Sequence, residues 1–290
     1  MIFWRILDDK LHPIQEVEKL GFEEGDGLRI PDEYLEQQEF TVLRTAWGIG
    51  DWGIISAMPR LLKKKYPDCK VYIPSKKLVQ RLFNVDTNIM YDIFSNNPYV
   101  DGFKDSIEGE IFHDHYRIYS NDNPNVPLIE QILKFWQFDK NEYEDSQPEL
   151  YWSNKEKELG DKIINKYIGS KEFGSLLISN RFGTQFGKYD ESSFQNDNKK
   201  ITKLLEDNKL PYFYWTYRPL NKFSFNYLVE DVLDMHNMDL RLQLYIKSKA
   251  KVNIGNQCGT NHCVVRYSDV YEVQRQSILG HNFVKGENYL

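Results

Sequence analysis

At 290 residues, with 41% apolar and 28% charged side chains, the chain has the composition of a globular protein and enough length for two domains of ordinary size. No stretch approaches the uninterrupted apolar run that a membrane span needs, so a soluble protein without a transmembrane segment is expected. A formal net charge of −6 argues against nucleic acid as a partner, because phosphate-backbone binding is driven by clustered Lys and Arg.

The opening MIFWRILDDK carries a short apolar patch that Arg5 interrupts and Asp8 and Asp9 end, leaving no signal-peptide core. The cytoplasm, including its membrane surface, is the expected compartment. Only Cys69, Cys258 and Cys263 are present, an odd and sparse set that fits small buried residues rather than a disulfide framework. The segment HPIQEVEKLGF is helical-looking, EEGDGLRIPDE is turn-rich, and residues 1–39 are assigned as an N-terminal extension.

From Phe40 the pattern changes. EFTVLRTAW predicts a strand, GIGD a tight turn, and WGIISAMPRLLKKKYP a helix with a kink or break near Pro59, which lacks a backbone donor. KVYIPS predicts a second strand, KKLVQRLFN a helix, IMYDIF a third strand, and NPYVDGFKD a turn into another short strand. A polar loop follows, then a helix around PLIEQILKFWQF and the acidic stretch DKNEYEDSQPE, which places a domain boundary near residue 150. SNKEKELGDKIINKYI has helical periodicity.

The second half starts the alternation afresh with GSLLIS as strand, NKKITKLLED as helix, LPYFYWTY as strand, a helix around FNYLVEDVLDM, then RLQLYIKSK before the strand KVNIG. Two successive βαβ arrays predict an α/β protein of two Rossmann-like domains facing across a cleft, with ligands at the carboxyl ends of the strands. The 19 Tyr, 17 Phe and 6 Trp could line sugar-stacking surfaces, but the area each buries fits core packing better.

Three segments could carry chemistry. In Gly48-Ile49-Gly50-Asp51, glycines permit close backbone approach and Asp51 either projects toward a ligand or caps the helix. This is not the dinucleotide GxGxxG fingerprint, because an isoleucine stands where the third glycine is needed. The loop Ser179-Asn180-Arg181-Phe182-Gly183-Thr184-Gln185-Phe186-Gly187-Lys188 could hold a pyrophosphate through the Arg181 fork and the Lys188 charge, or could be a solvated surface loop. In Gly255-Asn256-Gln257-Cys258-Gly259-Thr260-Asn261-His262, small and hydrogen-bonding residues open a short helix and could admit a diphosphate to backbone amides. His262 would touch that ligand or sit as a buried histidine. Neither Cys258-His262-Cys263 nor His113-Asp114-His115 has the ligands of a zinc site, and no Asp-x-Asp motif occurs, so no metal is expected.

WGIGDWGIISAMPRLLKKKYPDCKVYIPS, the later NNPYVDGF, the RFGTQFGK loop and DLRLQLYIKSKAKVNIGNQCGTNHCV, taken in order over residues 40–266, resemble the ADP-heptose heptosyltransferase family of glycosyltransferases. The resemblance implies a GT-B fold, with residues 40–150 as the acceptor-side domain and 151–290 as the donor-side domain. It implies Asp51 as catalytic base beside Gly48 and Gly50, Lys188 as phosphate-binding lysine, and Gly255, Asn256, Gly259 and His262 within the diphosphate motif, which here also holds Gln257, Cys258, Thr260 and Asn261. Gln257 stands where the family has Asp, Cys258 where it has Ser, and Tyr189-Asp190 where it has Trp-Pro, while little chain follows His262.

The implied function is inverting, metal-independent transfer of a sugar from a nucleotide-sugar donor to a glycan or glycolipid hydroxyl, with no cofactor. The alternatives are a nucleotide-sugar epimerase or hydrolase on the same frame, separable because an epimerase alters its substrate without an acceptor, and a non-catalytic nucleotide-sugar-binding module.

Overall fold

The computed structural model describes residues 3–7, 10–14, 39–44, 48–107, 111–113, 128–135, 138–142, 144–177, 191–215, 232–234, 238–256, 258–273 and 287–289. The chain divides into two compact units, Met1–Tyr151 with His281–Lys285 and Trp152–Gly280 with Gly286–Leu290.

In the first unit, β1 (Phe3–Leu7), β2 (Lys10–Ile14) and β6 (Ile111–His113) form an antiparallel sheet in the order β2-β1-β6. This corrects the helical expectation for HPIQEVEKLGF: His12 to Ile14 are strand, and the remainder lies outside the described residues. Pro13 is compatible with β2 because this is an edge strand, where a missing N–H costs no ladder bond.

A second, parallel sheet in the order β3-β4-β5 comprises β3 (Glu39–Thr41), β4 (Lys70–Pro74) and β5 (Gly102–Lys104). The helix expected after the glycine turn is broken, as its internal proline required, into α1 (Ile49–Ile54) and α2 (Met58–Lys65). Pro59 falls in the first turn of α2, where the absent donor has no intrahelical partner to lose. α3 (Lys76–Phe83) follows β4, with Ser75 accepting the Leu78 N–H as its cap.

IMYDIF is not a strand but α4 (Ile89–Phe94). Met90, Ile93 and Phe94 are buried at helical spacing, and the edge of Trp52 packs on Phe94 with 6.2 Å between ring centroids. Its place in the sheet is taken by β5, after the NPYVD turn. Asp101 anchors that turn by accepting the Val71 N–H (2.8 Å) and pairing with Lys63 (2.7 Å), while Arg60 binds Glu149 (2.7 Å) and Lys65 binds Glu142 (2.9 Å). Lys63 and Lys65 of the basic stretch are therefore engaged in the fold. α5 (Leu128–Phe135) completes the described elements of this unit.

The second unit contains α6 (Asn154–Tyr167), β7 (Gly174–Leu177), α7 (Glu191–Asn208), β8 (Tyr212–Trp215), β9 (Val232–Asp234), α8 (Leu240–Lys249), β10 (Val252–Asn256), α9 (Gly259–His262), β11 (Asp269–Val273) and β12 (Glu287–Tyr289). Val232 to Asp234 were expected in a helix; they pair in parallel with β8 and extend the sheet instead, because a third strand on this side can use the open edge of β8.

All six strands are parallel in the order β12-β11-β10-β7-β8-β9. Renumbered within the unit this is 6-5-4-1-2-3, the doubly wound dinucleotide-fold order, whose direction of winding reverses between β7 and β10. One face packs Leu176, Tyr212, Tyr214, Val252 and Ile254 on Ile201 and Leu205 of α7; the other packs Leu177, Phe213 and Trp215 on Leu242 and Ile246 of α8. The four aromatics of β8 are all buried, so here the aromatic richness is core.

Ser153 and Glu156 form a capping box at the start of α6, and Glu156 also grips Arg241 at the start of α8. Burial works to raise the Glu156 carboxyl, but Arg241 and the Ser153 donors overrule it and bring it down to about 2. Because that value lies below the ~4.3 of an unfolded glutamate, the stabilisation is complete above that value and is lost as pH falls toward about 2. Glu156→Gln should therefore cost ~1–2 kcal/mol at pH 6 and almost nothing near pH 2, read by chemical denaturation. A pH-independent cost would contradict the role given to this ion pair.

Candidate functional site

In the first unit the chain leaves β3 along buried Val42, Leu43 and Arg44 and enters α1 at Gly48. Ile49 and Gly50 are already helical, so the GIGD turn is the helix N-terminus itself. Asp51 is its third residue; its Oδ2 accepts the Gly48 N–H at 2.9 Å, and its Oδ1 lies 4.0 Å from the buried Arg44 guanidinium. The capping role expected of Asp51 is thus present, with 18% of its side-chain surface still exposed. A Cβ at Gly48 would lie 2.6 Å from Asp51 Oδ2, so a side chain there would displace the carboxylate from its present position.

In the second unit the switch point of the sheet falls between two of the segments named from sequence. Arg181 and Lys188 follow β7 in the chain, but lie outside the described residues, as do Gln257, Tyr189 and Asp190. Gly255 and Asn256 end β10. A Cβ at Gly255 would lie 2.0 Å from the Leu177 carbonyl oxygen, so only glycine allows β10 this approach to β7. Cys258 is the N-cap of α9, and Gly259, Thr260, Asn261 and His262 form it, the last three buried.

Sequence reasoning missed what lies under this turn. Glu272 of β11 is completely buried; its Oε1 accepts the Cys258 N–H at 3.1 Å, and its Oε2 lies 3.6 Å from His262 Nε2. Lys247 of α8, 1% exposed, donates to Ser175 Oγ at 3.3 Å, and Trp215 Nε1 donates to the same hydroxyl at 2.9 Å. Asn253 ties the Lys247 carbonyl (3.0 Å) to Ser268 (2.7 Å). Only the register of DVYEV, which carries Glu272 into a buried parallel strand, could have flagged the glutamate; Lys247 reads in sequence as an ordinary lysine near the end of a helix.

The electrostatics follow from burial. Desolvation pushes the Lys247 ammonium down to about 8, partly offset by Cys258 and Glu272, and pushes the Cys258 thiol up to about 11, with Glu272 adding to the rise and Lys247 opposing it. The three cysteines form no disulfide, and among the described residues no group of three or more His, Cys, Asp or Glu is placed to hold a metal. No helix among them is long and apolar enough to cross a membrane.

The folded value of Lys247 lies below the ~10.4 of an unfolded lysine, so between the two the unfolded chain binds the extra proton and stability rises with pH. The difference in unfolding free energy between wild type and Lys247→Met should therefore move in favour of the wild type from about pH 8 to about pH 10. A pH-independent difference would contradict the buried-cation assignment.

No protein-family model matches the chain, and no curated protein matches it in sequence. Among solved structures it is similar to the glycosyl transferase family 9 protein from Veillonella parvula DSM 2008, at 10% identity and a TM-score of 0.51, covering 88% of this chain and 86% of that one. It also aligns with E. coli ADP-heptose lps heptosyltransferase II at 10% identity and a TM-score of 0.43, covering 88% of this chain and 90% of that one. The two Rossmann-like α/β units expected from the sequence are present, and the chain has the fold of a family 9 glycosyl transferase.

Proposed function

We propose that the chain is a glycosyltransferase that moves a sugar from a nucleoside-diphosphate donor to a glycan or glycolipid hydroxyl. The observation that carries this reading is the strand order of the second unit: the segments beginning after Leu177 and after Asn256 leave the carboxyl ends of the two strands that flank the switch point, where such sheets bind nucleotides. Those are the two segments whose composition suits a diphosphate. Arg181 and Lys188 on one, and the amides and small side chains from Gly255 to His262 on the other, would bind the donor and stabilise the departing nucleoside diphosphate.

Asp51 takes the proton of the acceptor hydroxyl while the oxygen attacks the anomeric carbon. The bond to the diphosphate breaks, and its electron pair leaves with the diphosphate. One displacement inverts the anomeric centre, and no step needs a metal; full activity in EDTA is expected, and loss restored by manganese would contradict that. The Gly48–Asp51 bond favours one other reading, a nucleotide-sugar-binding module in which Asp51 is only a cap.

Asp51→Asn separates the two. Asn keeps a carbonyl oxygen for the Gly48 N–H but loses the charge 4.0 Å from the buried Arg44 guanidinium, so a stability cost of ~1–2 kcal/mol with the fold retained is expected. Turnover, followed as glycoside formed from a panel of nucleotide sugars and acceptors, should fall by ~10²–10⁴ with donor binding retained. Turnover near wild type would remove Asp51 from the chemistry.

A further inference from the structure

Glu272 is a glutamate with no exposed surface, at the end of a parallel strand and directly beneath the segment given the donor diphosphate. A buried carboxylate is costly unless it is hydrogen-bonded and its charge is met. One segment faces both oxygens: the Cys258 amide at the cap of α9 donates to Oε1 at 3.1 Å, and His262 at its other end lies 3.6 Å from Oε2, where it meets the charge when protonated. Among the described residues Oε2 has no hydrogen-bond partner, and the His262 ring is the group that approaches it. Among the described residues, Lys247 from α8 and the Cys258 thiol also interact with its charge.

We propose that Glu272 is a positioning residue for nucleoside-diphosphate binding: it holds the Cys258 amide and the His262 ring at the two ends of α9, and its charge keeps that ring cationic when the diphosphate arrives. The inference rests on the donor-site reading above. An anion placed beneath a second anion would repel it; an imidazolium beside Glu272 offsets that repulsion through its charge. Donor affinity is thereby coupled to the proton on the His262 ring, which is lost as pH rises.

The test is isothermal titration with ADP, GDP, UDP and CDP, each alone, from pH 5.5 to 8.5, on the wild type, Glu272→Gln and His262→Ala. Gln keeps an acceptor for the Cys258 amide and loses the charge. Expected are wild-type affinity that weakens as pH rises, affinity about tenfold or more lower in Glu272→Gln at pH 6 with the pH dependence displaced downward, and a flat, weak profile in His262→Ala.

A role in folding alone would lower the melting temperature without moving this profile. Wild-type affinity and profile in Glu272→Gln overturn the inference alone; a wild type that binds none of the four nucleotides overturns the donor-site reading as well. Should Glu272→Gln fail to fold, the profiles of wild type and His262→Ala decide: a slope present in the first and absent in the second supports the proposal, and a flat wild type overturns it.

Discussion

The second unit is organised around a carboxylate that has been taken entirely out of water. Glu272 must be paired where it stands, and its pairing reaches most of the elements that meet at that end of the sheet. The cap of α9 donates to it, His262 faces it, and Lys247 brings a buried cation from α8 that rests on Ser175 of β7, which also receives Trp215 of β8. Five elements thus converge through polar atoms, on the side of the sheet whose other contacts are the apolar packing of Leu177, Phe213 and Trp215 on α8. Such a cluster confers geometric precision more than stability, since replacing a paired buried charge with apolar groups is often neutral while breaking the pair is not.

The first unit solves a simpler problem. Asp51 serves the α1 terminus by accepting the Gly48 N–H, and the glycine lets the carboxylate fold back over it. Oδ2 makes the cap bond and Oδ1 faces the Arg44 guanidinium at 4.0 Å, while 18% of the side-chain surface stays exposed. The glycine turn, read from sequence as the entry to a helix, is that helix's terminus, and its third residue carries the charge. Around it the basic stretch and the acidic segment before residue 150 neutralise one another through Arg60–Glu149 and Lys65–Glu142.

Most of the alternation was legible because it rests on local signals: β-branched runs, helical spacing, and Pro59 splitting one helix into two. The errors share a cause. IMYDIF and the VLD of β9 are short apolar runs in which period alone does not separate strand from helix, and tertiary context decided both: Trp52 meeting Phe94 in one case, the free edge of β8 in the other. Gly255 was legible only as a small residue of the diphosphate segment; its packing against the Leu177 carbonyl depends on the sheet register. Glu272 was not, because a single acid in an apolar pentapeptide carries no sign of its burial until the parallel register places it opposite Gly255 and under Cys258. The Arg181 and Lys188 loop lies outside the described residues, so its part in the account rests on its position after β7 alone.

The central claim is that the sugar leaves a nucleoside diphosphate for an acceptor hydroxyl. The most direct measurement is the stoichiometry of nucleoside diphosphate released against glycoside formed, by mass spectrometry, with nucleotide sugars supplied in the presence and absence of hydroxyl acceptors. Glycosyl transfer predicts equal amounts of the two products and release that depends on the acceptor. Release that proceeds equally without an acceptor, or a sugar isomerised while still attached to its nucleotide, would contradict the account.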